Sequence, residues 1–115
     1  MRLAWGALVV LFVAMYIAPI GVRPLGSPDE VRYGTVAREM LASGDWVSPR
    51  LNGVRYFEKP APGHWLNAVS LATFGENPFA LRLPSALATG LTALMVFWLT
   101  RRFVSVTAAT LAAAI

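Results

Sequence analysis

Asp29 and Glu30 stand side by side at the start of the segment Ser27-Pro28-Asp29-Glu30. A carboxylate can take or give a proton, or offset positive charge as it develops in a transition state. Both also suit a plainer role, because acids in the first turn of a helix are favoured by its dipole. Glu30 fits that role fully: with Ser27 as N-cap and Pro28 in the first helical position, it closes a capping box. Asp29 fits it less well. At about 100° per residue it falls in line with Tyr33, Val36 and Met40, on the apolar face. A carboxylate aimed at a membrane or protein interior is costly and marks a functional candidate.

A second group of charges is Glu58-Lys59-Pro60. Pro60 holds Lys59 extended, which throws Glu58 and Lys59 to opposite sides of the chain. The pair is either a solvated loop pair or an ammonium fixed where it binds a phosphate as a point charge. His64 is the only histidine and there is no cysteine, so no metal site with Cys/His spacing exists, though His64 can supply one ligand. Arg32, Arg38, Arg50, Arg55 and Arg82 suit anionic headgroups, and Trp46, Tyr56 and Trp65 suit a membrane interface. Neither a Gly-rich phosphate loop nor a GxSxG or HExxH motif is present, so nothing points to nucleotide binding.

The elements that must carry these residues follow from the distribution of apolar sequence. The chain has 115 residues, 57% of them hydrophobic, and a mean hydropathy of +0.57. The excess lies at the two ends and nearly all the charge lies between them. Residues 3–20 form an uncharged run of about 18, near the least that crosses a ~30 Å hydrocarbon core. The run is too long for a signal peptide and no A-x-A pattern follows it, so it reads as an uncleaved span. Residues 79–100 form a second span, with Asn77 as cap, Pro78 at the first position and Pro84 as a kink. Arg82 there is placed to snorkel. Ala86 with Gly90, and Ser85 with Thr89, form small-residue faces suited to helix packing in lipid.

The intervening loop has structure of its own. Tyr33, Val36, Ala37, Met40 and Leu41 recur with helical spacing up to Gly44, which stops the helix. Asn52-Gly53 between 47–51 and 54–57 predicts a type I′ hairpin. Residues 63–74 predict a second short helix, apolar but for a stripe of His64, Asn67, Ser70 and Thr73, and both helices are expected along the membrane surface. Arg101 and Arg102 place the end of the second span in the cytoplasm and the loop outside. The six Lys/Arg of the loop oppose this, but it approaches the ~60 residues beyond which charge ceases to govern export. The net charge is +4 and the pI about 10.4, yet all the acids lie among the loop cations, so no basic footprint for nucleic acid forms.

The motifs Ser27-Pro28-Asp29-Glu30-Val31-Arg32-Tyr33, Arg38-Glu39-Met40-Leu41-Ala42-Ser43-Gly44-Asp45-Trp46, Tyr56-Phe57-Glu58-Lys59-Pro60 and Phe74-Gly75-Glu76-Asn77 together resemble the aminoarabinose (lipid A) transferase branch of the protein O-mannosyltransferase-like glycosyltransferases. His64-Trp65 stands where that branch has Tyr-Trp. The resemblance implies an all-α integral membrane protein of the GT-C type. Its layout here would be a first transmembrane helix over 1–22, an exported loop over 23–77 with juxtamembrane helices at 28–43 and 63–74 and a small hairpin, a second transmembrane helix over 78–102, and the start of a truncated third over 103–115.

The resemblance also implies Asp29, with Glu30 beside it, as the catalytic acids. It implies Lys59, with Arg55 and Tyr56, as donor-binding residues, and Glu58 as a contributor to a divalent-metal site. The donor would be a polyprenyl-phosphate sugar, the acceptor lipid A-like or a protein, and the setting the bacterial inner membrane. A protein O-mannosyltransferase, or a non-enzymatic assembly or transport subunit in which Asp29 is merely a cap, are the competing expectations. The last apolar run is too short to span, so the chain is expected to be an N-terminal piece that is inactive by itself.

Overall fold

A computed structural model describes residues 2–115, with side chains from Trp5 onward. The chain divides into two units, Met1–Pro84 and Ser85–Ile115, and is mostly helical.

The first unit opens with α1, Arg2–Phe12, which runs on as a π-helical turn over Val13–Ile17 and a 3-10 turn over Ala18–Gly21. The sequence predicts one continuous span here; the backbone stays helical but changes pitch. Pro19 explains the change, since its ring displaces the carbonyl four residues back and it brings no N–H. Among the described residues, the one helix long and apolar enough to cross a membrane is Pro78–Thr100; Trp5–Gly21 is apolar but shorter.

Helix α2, Pro28–Ser43, follows an extended Ser27 and ends at Gly44, whose φ of 70° is left-handed and whose N–H donates to the Met40 carbonyl at 3.0 Å. It buries Val36, Ala37 and Met40 in a core shared with Tyr56, Ala68, Leu71, Ala80 and Leu81. At Gly34 a Cβ would meet Leu81 Cδ2 at 3.3 Å, so the bare backbone sets the approach of helices there.

Strands β1 (Arg50–Leu51) and β2 (Val54–Arg55) pair antiparallel, Arg50 opposite Arg55 and Leu51 opposite Val54. Asn52 and Gly53 have φ of 53° and 79°, the two positive values of the type I′ turn that Asn-Gly predicts. The strands are shorter than the sequence suggests. Asp45 Oδ1 accepts the N–H groups of Val47 and Ser48 at 3.1 and 3.0 Å, a local turn that competes with strand pairing.

Helix α3, Ala61–Phe74, starts two residues before the expected 63 because the extended Pro60 serves as its N-cap. His64, Ser70, Ala68 and Leu71 are buried, while Trp65, Leu66, Val69 and Phe74 are exposed. His64 and Ser70 of the polar stripe therefore face protein, Asn67 is half-buried and Thr73 exposed, and the large apolar side chains face out.

Helix α4, Pro78–Thr100, is capped as expected: Asn77 Oδ1 accepts the Ala80 N–H at 2.8 Å. In the second unit α4 ends at Thr100 rather than 102, because residues 101–103 turn back on the last carbonyls. There the Arg102 guanidinium lies 4.0 Å over the Trp98 ring. Helix α5, Val106–Ala114, begins later than 103, where Ser105 Oγ accepts the Ala108 N–H at 3.3 Å.

Candidate functional site

Asp29 occupies the second position of α2, and its side chain is 65% exposed. The expectation that it faces the apolar interior is not met. It lies in line with buried Val36, but the first turn of α2 reaches beyond the core on which Val36 packs, so being in register with the stripe does not bury it. Its carboxylate is 3.5 Å from Arg32 Nη1.

Glu30 turns inward instead. Arg82 grips it with a fork, Nε to Oε1 at 2.7 Å and Nη2 to Oε2 at 2.9 Å. These bonds hold the Glu30 carboxyl below its ordinary range, with the backbone at Gly26 and Ser27 adding to the effect. The Ser27 side chain makes no cap bond, so the predicted capping box is at most half formed. Arg82 does not snorkel. Its Nη1 donates to the carbonyls of Ile20 and Arg23, each at 2.7 Å, and Nη2 to that of Pro24 at 3.1 Å. All five guanidinium N–H groups are thereby used, leaving none for a headgroup.

The second group of sequence candidates comes to Asp29 through Arg32. Arg32 Nη1 is 4.0 Å from Glu58 Oε2, and the Tyr56 hydroxyl donates to that same oxygen at 3.2 Å. Asp29, Arg32, Tyr56 and Glu58 thus form one cluster. Arg32, which the sequence treats as an interfacial cation, is its link; the i, i+3 spacing from Asp29 is the signal that could have found it. Tyr56 is buried apart from this contact. Lys59 and Arg55 are exposed, Lys59 next in the chain after Glu58 and Arg55 on β2 opposite Arg50.

His64 lies beneath the cluster, its ring 6.0 Å from that of Tyr56 and 5.8 Å from that of Tyr33. It is only 3% exposed, and among the described residues neither ring nitrogen has a hydrogen-bond partner. Burial pushes its pKa below the ordinary value.

Among the described residues no three metal-ligating side chains converge. Near Glu58 the donors are two carboxylates with a guanidinium between them, which already supplies the positive charge. This set does not by itself fit a divalent metal, and no step below is routed through one.

Known proteins are similar to this chain in sequence and in architecture. The family model described as dolichyl-phosphate-mannose-protein mannosyltransferase matches residues 3–115. The undecaprenyl phosphate-alpha-4-amino-4-deoxy-L-arabinose arabinosyl transferase of Edwardsiella ictaluri is 54% identical over 101 residues, covering 88% of this chain and 18% of that protein. Its namesake from Aeromonas hydrophila is 51% identical over 98 residues, covering 85% and 18%. The crystal structure of ArnT from Cupriavidus metallidurans in the apo state aligns with a TM-score of 0.80 at 39% identity, covering 92% of this chain and 20% of that one. The same protein bound to undecaprenyl phosphate also aligns at 0.80 and 39%, covering 90% and 20%. The chain thus spans about a fifth of the length of the proteins it resembles. With the family model matched over almost its whole length, the chain belongs to the dolichyl-phosphate-mannose-protein mannosyltransferase family.

Proposed function

We propose that the full-length protein is a glycosyltransferase that moves 4-amino-4-deoxy-L-arabinose from undecaprenyl phosphate to lipid A or a related envelope acceptor. The observation that carries this reading is the cluster in which Arg32 joins Asp29 to Glu58, with the Lys59 ammonium next in the chain. The likeness to named arabinosyl transferases supports the choice of donor.

The reaction breaks the bond between the anomeric carbon and the carrier phosphate and forms one from that carbon to an acceptor oxygen. The carrier phosphate leaves with the electron pair. Lys59 offsets the charge growing on it, and Asp29 the positive charge developing at the anomeric carbon. A lipid A phosphate is already anionic and needs no base. The family's description names a protein acceptor; with a hydroxyl acceptor Asp29 would take the proton. Arg32 holds Asp29 and Glu58 in register, and Tyr56 fixes one Glu58 oxygen.

The membrane setting of this reading has two supports. Helix α4 is long and apolar, and α1 with its π turn exposes Val9, Val10, Leu11 and Met15. Helix α3 turns Trp65, Leu66, Val69 and Phe74 outward, as a helix lying in the interface would. Helices α1 and α4 would then be transmembrane, with the cluster on the extracytoplasmic side, where a carrier-borne sugar phosphate is accessible.

The test is transfer of the sugar in the full-length protein with Asp29→Asn. We expect transfer to be abolished while membrane insertion is retained. Transfer at the wild-type rate in that variant would remove Asp29 from the mechanism and the reading with it.

A further inference from the structure

We propose that Arg82 is a positioning residue for the transfer reaction, fixing the first turn of α2, and so Asp29, against the end of the first helix. The proposal rests on the functional reading above.

Three observations carry it. First, Arg82 contacts both ends of one chain reversal. It bonds the carbonyls of Ile20, Arg23 and Pro24, which follow or close the 3-10 turn, and the Glu30 carboxylate in the first turn of α2. Second, the contacts match an electrostatic need. A helix C-terminus leaves carbonyls without donors and carries partial negative charge, whereas an N-terminus carries partial positive charge. A guanidinium on the first end and a carboxylate at the second, bonded to each other, satisfy both. Third, the geometry admits no simple substitute. Three backbone carbonyls of residues 20–24 and the Glu30 carboxylate surround one planar fork, and an ammonium, with three donors from a single atom, cannot reach them all.

Asp29 adjoins Glu30 in the chain, and among the described residues its side chain is held by the Arg32 contact at 3.5 Å alone. Its position relative to a bound donor therefore depends on the anchored neighbour. A misplacement of about 1 Å in a reacting group can lower a rate ~100-fold.

The experiment uses the full-length protein in lipid, comparing wild type, Asp29→Asn, Arg82→Lys, Glu30→Gln and the double variant Glu30→Gln/Arg82→Lys. Arg82→Lys is expected to lower kcat about 10-fold to 100-fold with the KM for undecaprenyl phosphate-linked sugar within about twofold. The double variant is expected to be little worse than either single one, since both break the same contact. Hydrogen exchange over residues 22–32 is expected to quicken in Arg82→Lys while exchange in α3 stays unchanged, which general destabilisation would not produce. Wild-type kcat in Arg82→Lys beside an inactive Asp29→Asn would overturn the positioning role and leave the functional reading intact. Wild-type protection of residues 22–32 in Arg82→Lys would overturn it whatever the activity. An inactive wild type would end the functional reading and with it the catalytic half of the proposal.

Discussion

The Ser70 hydroxyl of α3 donates to the backbone carbonyl of Ala80 in α4. That carbonyl is the one that Pro84, four residues on, leaves without a helical donor. A proline inside a span and a serine on a neighbouring helix thus form one unit: the imino acid breaks the ladder and the hydroxyl completes it, in a buried position where an unpaired carbonyl is costly.

Ser70→Ala should therefore destabilise the protein by about 1–3 kcal/mol, the cost of a buried acceptor left unsatisfied. In a Pro84→Ala background, where the helix supplies its own N–H, the same change should cost much less. Thermal melting of the four proteins in detergent measures the coupling. Equal effects of Ser70→Ala in both backgrounds would disprove the pairing.

His64 gives a prediction in pH. Its pKa in the folded protein is depressed by burial, so the unfolded chain binds a proton first as pH falls. The linked stability is complete above the ordinary histidine value of about 6.5 and is lost as pH drops through that value towards the depressed one. His64→Phe should flatten this slope. It should also raise stability at neutral pH by about 1 kcal/mol, because two orphaned ring nitrogens are removed from a buried site. Melting temperature against pH for both proteins checks each part.

Glu39 anchors the hairpin from α2, its carboxylate accepting the N–H groups of Asn52 and Gly53. The hairpin leads directly into Tyr56, Glu58 and Lys59. Glu39→Ala should speed amide exchange at Asn52 and Gly53 by about fivefold to tenfold, through loss of bonds to a charged acceptor. Unchanged exchange at both amides would show that the turn holds without it.

Lys59 should act on the donor. Lys59→Ala is expected to raise the KM for the undecaprenyl phosphate-linked sugar by about tenfold or more, and Lys59→Arg to restore part of it, as for a charge that binds phosphate. A KM that does not respond would place the phosphate elsewhere.

Much of the local structure was legible in the sequence because it is set by short-range chemistry. The Ser27-Pro28 start of α2, its stop at Gly44, the Asn52-Gly53 turn and the Asn77 cap of α4 each rest on a few adjacent residues and a steric or hydrogen-bonding rule. So did the apolar segments at either end. The candidates Asp29 and Glu58 were legible as residue types, though not as neighbours.

What the sequence could not contain was the partner of each charged group. Asp29 and Glu30 differ by one position, and periodicity assigned the inward place to Asp29. The structure assigns it to Glu30, because Arg82 arrives from α4 with a fork that fits one carboxylate. Likewise α3 reads as a polar stripe on an apolar helix, and only packing against α2 and α4 decides that His64 and Ser70 face inward. Caps and turns are decided within a few residues of chain, so sequence alone determined them. Ion pairs and helix faces depend on which distant segments meet, and that was settled only by the tertiary structure.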